Sequence, residues 1–271
     1  MIQMQDVTVF DIPVDVQASE QRIMFLNTKP AYNYNLAYNV KNPKKPQIVQ
    51  PQTETISPLV SYLIQKLQTG TIEEQERCLF IIGKNLELKG SEQFLDESLT
   101  NALFSFANKD ISKYKQATEK QKHLRKKLQE GKELSKKNYQ IAYSLSEQEI
   151  AQKNQITAIF LIAKIQNVLY KEIKQRSDLQ PKFYDLPAVP RLINEIQNNK
   201  NENIKIAAIE AFGIMYKYEF FDDITALLEN IEKTATSQAV KITSTQIKLK
   251  IAATHKKQER KLQNKVNSCV F

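Results

Sequence analysis

Pro58-Leu-Val-Ser-Tyr-Leu-Ile-Gln-Lys-Leu-Gln68 and Pro187-Ala-Val-Pro-Arg-Leu-Ile-Asn-Glu-Ile-Gln197 are two versions of one phrase, about 130 residues apart. Val60, Leu63, Ile64 and Leu67 in the first copy make one apolar stripe at helical spacing. Each copy is followed, after a polar break, by a second apolar run with a glycine near its end, Gly83 and Gly213. A helix-turn-helix written twice predicts an all-α fold, a short α-solenoid in which each unit buries its apolar face by stacking on a neighbour. That architecture favours a binding surface over an active site.

Working outward from the first copy, Ser57 is a candidate N-cap and Pro58 occupies the first helical position, where its missing donor costs nothing. Gly70 ends this helix. Thr71 and Glu74 have capping-box spacing and open a helix through Cys78, Leu79, Ile82 and Leu86, which Gly90 closes. Residues 92–107 read as a third helix with Phe94, Leu95, Leu99, Leu103 and Phe104 on its apolar side.

Residues 109–142 interrupt the pattern. They hold eleven Lys or Arg against four Asp or Glu, a net of +7, with sparse apolar positions at Ile111, Tyr114, Leu124, Leu128 and Leu134. Such a thin stripe suits a long projecting helix, or a helical hairpin turning near Gly131. Core composition returns over 146–175, where Ser146 and Glu149 again have capping-box spacing.

The second unit reads Leu186-Pro-Ala-Val-Pro-Arg-Leu-Ile-Asn-Glu-Ile-Gln197 and, after a break, Asn201-Glu-Asn-Ile-Lys-Ile-Ala-Ala-Ile-Glu-Ala-Phe-Gly213. It resembles a HEAT or armadillo repeat, with a first helix opening at proline and a second rich in small residues, Ala207, Ala208 and Ala211. Repeats of that family carry an Asp and an Arg at the turn; Glu202 and Lys205 stand near those places. The likeness covers 186–215 well and 57–88 fairly. It implies a non-catalytic scaffold that binds protein partners. Residues 222–266 supply closing helices, and 241–265 hold eight Lys or Arg against one Glu, again +7.

This yields three regions: an extended N-terminal arm over 1–56, an α-solenoid over 57–240 with a basic helical insertion at 109–142, and a basic C-terminal helix and tail over 241–271. Six of the nine prolines fall at or before Pro58, which disfavours helix in the arm. Its Tyr32, Tyr34 and Tyr38 alternate with asparagines and are candidate partner contacts, since disordered tails are usually poor in aromatics.

The two basic segments exceed the chain's net charge of +9, and residues 1–56 are neutral, so the remaining body is acidic. Concentrated charge favours an acidic partner. The candidate contacts are Lys120, Lys122, Arg125, Lys126 and Lys127 in the first segment, and Lys256, Lys257, Arg260 and Lys261 in the second. Only one arginine lies in each segment, which disfavours base-specific reading and leaves non-specific lysine contacts to nucleic acid as an alternative.

The sequence has no Walker loop, dinucleotide fingerprint or zinc spacing, so no catalytic residue, cofactor or metal site is expected. His123 and His255 have no ligand-spaced companion and read as surface residues. Ile165-Gln166 with Lys171 is a faint match to an IQ motif, which lacks its arginine and glycine positions here. Asp222-Asp223 and Glu73-Glu74 read as helix-start charges. Two lone cysteines suit a reducing compartment, and the first sixteen residues lack the features of a secretory signal. No run approaches a membrane span. With 26 Gln and 33 Lys against 6 Arg, the composition fits an A/T-rich genome that reads two stop codons as glutamine, as ciliates do. Arm, basic helices and composition together suggest a cytoplasmic cytoskeletal or ciliary component that contacts microtubules; the alternatives are a non-specific nucleic-acid adaptor or an accessory subunit of an organellar complex.

Overall fold

The computed structural model describes residues 57–88, 91–176 and 181–268, all within the compact unit Thr55–Phe271. The arm, with Tyr32, Tyr34 and Tyr38, lies outside the described residues. Among those described there is no strand, and ten α-helices carry the fold: α1 Pro58–Thr69, α2 Ile72–Asn85, α3 Glu97–Ala107, α4 Glu119–Gln129, α5 Lys136–Tyr143, α6 Glu147–Arg176, α7 Val189–Asn198, α8 Glu202–Met215, α9 Phe221–Thr234 and α10 Gln238–Ser268.

Local chemistry sets many of the boundaries. Thr71 and Glu74 close a reciprocal capping box on α2. Ser146 and Glu149 do the same at α6, the Glu149 N–H donating to Ser146 Oγ while the Ser146 N–H donates to the Glu149 carboxylate at 2.8 Å. Ser57 differs from its expected role: its hydroxyl donates to Gln93 Oε1 instead of accepting from α1. The expected helix over 92–107 is broken, because Asp96 caps a fresh start at Glu97, accepting from the Ser98 N–H, and leaves a single 3-10 turn, Ser91–Phe94, before it. Asp222 and Asp223 lie in the first turn of α9, and Glu73 and Glu74 in that of α2, where acids meet the helix dipole favourably.

The helices pack as successive pairs. α1 lies on α2, α3 on α6, α7 on α8 and α9 on α10. The second helices are neighbours in order, α2 with α6, α6 with α8, α8 with α10. First helices also meet: α1 packs on α3, and α3 is joined to α7 by Asn108 donating to Glu195 and by the Arg191 guanidinium over the Phe104 ring, 4.0 Å from its centroid. One continuous apolar core runs from Val60 on α1 to Ile251 on α10. α6 is central, buried nearly all round at Ala158, Ile159, Leu161, Ile162, Ala163 and Ile165. Beneath the later pairs, Phe183 meets Phe212 and Phe220 in edge and tilted contacts at 5.7 and 5.6 Å.

Three of the four pairs share a construction. A polar side chain in the first third of the second helix donates to a carbonyl at or just past the end of the first. Gln75 reaches the Gly70 carbonyl at 3.0 Å, Gln155 that of Lys109 at 2.6 Å, and Lys205 that of Gln197 at 3.3 Å. These bonds serve carbonyls that a helix terminus leaves without intrahelical partners. Eight residues further on stands a small residue in each case: Gly83, Ala163 and Gly213. A Cβ on Gly83 would come within 3.3 Å of Leu161 on α6, and one on Gly213 within 3.3 Å of Ile247 on α10. At the two glycines the missing side chain lets α2 approach α6 and α8 approach α10.

Between α3 and α6, residues 109–118 form an irregular link and α4 and α5 then pack as a hairpin, turning at Gly131, whose φ of +74° is a left-handed value that suits glycine. Its buried residues, Leu124 and Ala142, are not members of the main core. The C-terminal basic region is partly built in: α10 begins at Gln238, and Val240, Ser244 and Ile251 are buried where it packs on α8 and α9. No helix among the described residues is long and apolar enough to cross a membrane.

Candidate functional site

Three surfaces could engage a partner: the α4–α5 hairpin, the far end of α10, and a groove between α2 and α6. Among the described residues no cluster of His, Cys, Asp or Glu could hold a metal ion. Cys78 is buried on α2, and burial pushes its thiol up to about 11, which leaves it a protonated packing group.

The hairpin is latched to the body by Arg125. Its guanidinium forks onto Glu149, Nη1 to Oε1 at 2.5 Å and Nη2 to Oε2 at 3.0 Å. It also donates to the carbonyls of Ala142 and Ser144 at 2.9 and 2.8 Å. The Arg125 bonds, with the Ser146 N–H, hold the Glu149 carboxyl down at about 2. Arg125 therefore acts within the fold, a different place from its expected one among the partner contacts. Lys122 pairs with Glu119 at 2.8 Å on its own helix. Lys120, Lys126 and Lys127 have no carboxylate partner among the described residues; the first two are exposed and Lys127 is half-buried.

The same hairpin carries groups that the sequence reading missed. On α5, Tyr139 and Tyr143 stand one turn apart with rings nearly parallel, 8° between planes and 6.2 Å between centroids. Both are exposed, Tyr143 by 73%. Lys136 and Lys137 open the helix, exposed and without carboxylate partners among the described residues. The i, i+4 tyrosine spacing beside two lysines was a usable signal, hidden by the search for apolar core positions.

On α10, Lys256, Lys257, Arg260 and Lys261 are all exposed, and every residue from Glu259 to Asn264 is exposed, so this stretch stands clear of the body. His255 anchors its base. Contrary to the surface reading, its ring is sandwiched between Tyr218 and Phe221 at centroid distances of 4.4 and 3.9 Å, with the Tyr216 hydroxyl 3.0 Å from Nδ1. His123 is exposed on α4 as expected. Next to this region, Glu219 accepts from Lys174 at 2.6 Å and from the Tyr170 hydroxyl. Burial opposes ionisation of Glu219, and these bonds more than offset it, bringing the carboxyl down to about 2.

The groove between α2 and α6 encloses about 290 Å³. Leu79, Gly83 and Leu161 form its floor and the 62% exposed Phe80 one wall. Its rim charges are mutually satisfied: Lys153 with Glu76 at 3.1 Å, Lys164 with Glu87 at 3.3 Å. Of the IQ-like residues, Lys171 is exposed but the Ile-Gln pair is unavailable to a partner. Ile165 and Gln166 are buried, and Gln166 Oε1 accepts from the Ala188 N–H at the start of α7.

Compared with known proteins, the chain matches no family model, no curated protein and no solved structure.

Proposed function

We propose that this protein is a non-catalytic scaffold, a short α-solenoid of HEAT or armadillo type that takes its place in a larger assembly. The observation that carries this reading is the construction that three of the four pairs share: a polar donor closing the first helix, and a small residue eight positions later, against which the next pair packs closely at Gly83 and Gly213. Units of this kind bury their faces only by stacking, and they present extended surfaces for partners. The surfaces described are open ones. The exposed end of α10 is the contact for an acidic protein surface: four exposed cations, Lys256, Lys257, Arg260 and Lys261. The assembly in this proposal is cytoskeletal, with the acidic microtubule lattice as that surface.

The test is co-sedimentation of the full chain with microtubules at low and high salt. Reversing the four α10 cations to glutamate should abolish pelleting, because exposed lysines act through long-range attraction that salt screens. If the wild-type chain stays in the supernatant at low salt, the microtubule reading is wrong. The solenoid reading would survive that result, because it rests on the packing of the pairs and not on the α10 cations.

A further inference from the structure

We propose that the α4–α5 hairpin is a docking site for single-stranded nucleic acid, with α5 as its stacking face. This site is separate from the α10 end and does not depend on the microtubule reading. Lys136, Tyr139 and Tyr143 follow one another at i, i+3 and i+7, which places them on one side of α5. The other side, which carries half-buried Asn138 and Ile141 and buried Ala142, is turned inward. The two tyrosine rings repeat at 6.2 Å, close to the roughly 6 Å rise of four helical residues, so they present like faces a turn apart.

The two helices of the hairpin carry five lysines without carboxylate partners among the described residues: Lys120, Lys126 and Lys127 on α4, Lys136 and Lys137 on α5. Of the nearby acids, Glu119 is paired with Lys122 and Glu130 with Lys132 at 2.7 Å; Glu133 at the turn has no such partner. The hairpin is also pre-positioned. Besides Arg125, Gln121 Nε2 donates to the Ser144 hydroxyl at 3.0 Å and Lys115 pairs with Glu147 at 3.5 Å.

The chemistry discriminates between polyanions. A carboxylate-rich peptide offers charge to lysines but has no use for two exposed rings. A duplex offers phosphates, yet its bases are already stacked on each other. A single strand offers both phosphates and free base faces, and stacking tolerates any base. Lysine in place of arginine fits contact with the backbone without reading of base edges.

The experiment is fluorescence anisotropy of a labelled oligouridylate of about 20 nucleotides titrated with the full chain at about 50 and about 200 mM salt. The duplex of equal length and polyglutamate serve as competitors. The strand should bind in preference to the duplex, and the logarithm of affinity should fall with log salt by up to about 0.7 per engaged lysine. Tyr143→Ala should weaken binding at least about fivefold, whereas Tyr143→Phe, which keeps the ring, should not. Lys136→Glu with Lys137→Glu should shallow the salt dependence, and Lys256→Glu with Lys257→Glu should leave it as it was. Circular dichroism of each variant separates loss of binding from loss of fold. The proposal is overturned by no binding at the lower salt, by equal affinity for the duplex, or by insensitivity to Tyr143→Ala. Displacement by polyglutamate at equal charge concentration would also overturn it, and would point to an acidic peptide.

Discussion

The hairpin and the end of α10 carry the same net charge of +7 over their segments, yet they are different devices. The hairpin is fastened: Arg125 holds Glu149 and two carbonyls, and the exposed groups on α5 include a pair of aromatic rings. The α10 end is anchored at its base, by His255 between Tyr218 and Phe221 and by the Tyr216 hydroxyl donating to Gln258 Oε1 at 3.1 Å, and from Glu259 to Asn264 it is an exposed rod. Equal charge attracts polyanions equally. Positioned rings and a fixed lysine array add a preference among them, and a bare charged helix does not.

The largest expected effect tests whether the hairpin is energetically apart from the stacked pairs. Phe212 is fully buried in the main core, and Phe212→Ala should cost about 3–5 kcal/mol and lower the thermal midpoint of the whole body. Leu124 is buried beneath the hairpin outside that core. Leu124→Ala should open residues 119–143 to amide exchange while moving the global midpoint far less. Equal losses from the two substitutions would make the hairpin part of one cooperative core.

The next effect sharpens the role of the latch. Arg125→Ala should cost about 1–3 kcal/mol, felt as faster exchange in α4 and α5 and in the first turn of α6, with α10 unaffected. Acid should act at the same place. Glu149 titrates at about 2 in the fold against 4.5 ordinarily, so its stabilisation is complete above about pH 4.5 and is lost as pH falls toward 2. Glu149→Gln should remove that part of the acid response; an unchanged exchange profile between pH 5 and pH 3 in the wild type would show that the latch does not hold the hairpin.

The smallest expected effect is on the other side of the comparison. Charge reversal at Lys256, Lys257, Arg260 and Lys261 should change stability by no more than about 0.5 kcal/mol, since exposed positions away from packing rarely matter to the fold. A midpoint shift of several degrees in that variant would mean that the α10 end is packed against something.

The helices of the two matching phrases were legible because their signals are local. Apolar spacing, a proline at the first position, capping pairs at three residues and a closing glycine all act within one or two turns. The middle pair was not legible as a pair. α3 and α6 are separated in the chain by residues 108–146, and the Gln155 to Lys109 bond that identifies them spans 46 positions. Seen in three dimensions, Gln155 and Ala163 occupy the places of Gln75 and Gly83, a correspondence that no phrase of sequence displays. The candidate surfaces divide in the same way. Lysine density marked both basic elements, while the fate of Arg125 depended on a carboxylate 24 residues away. The free faces of Tyr139 and Tyr143 depended on nothing packing over them.

By itself the sequence determined that the body after residue 56 is helical, where most of its helices begin, and that the positive charge is gathered into two segments. These follow from interactions between residues at most four apart, whose geometry is set once a helix forms. Only the tertiary structure decided which helices pair, which glycines sit against a neighbouring helix, and which cations are left facing solvent. Those outcomes depend on contacts between residues tens of positions apart, such as Asn108 with Glu195, and burial is a property of the packed whole that no local pattern carries.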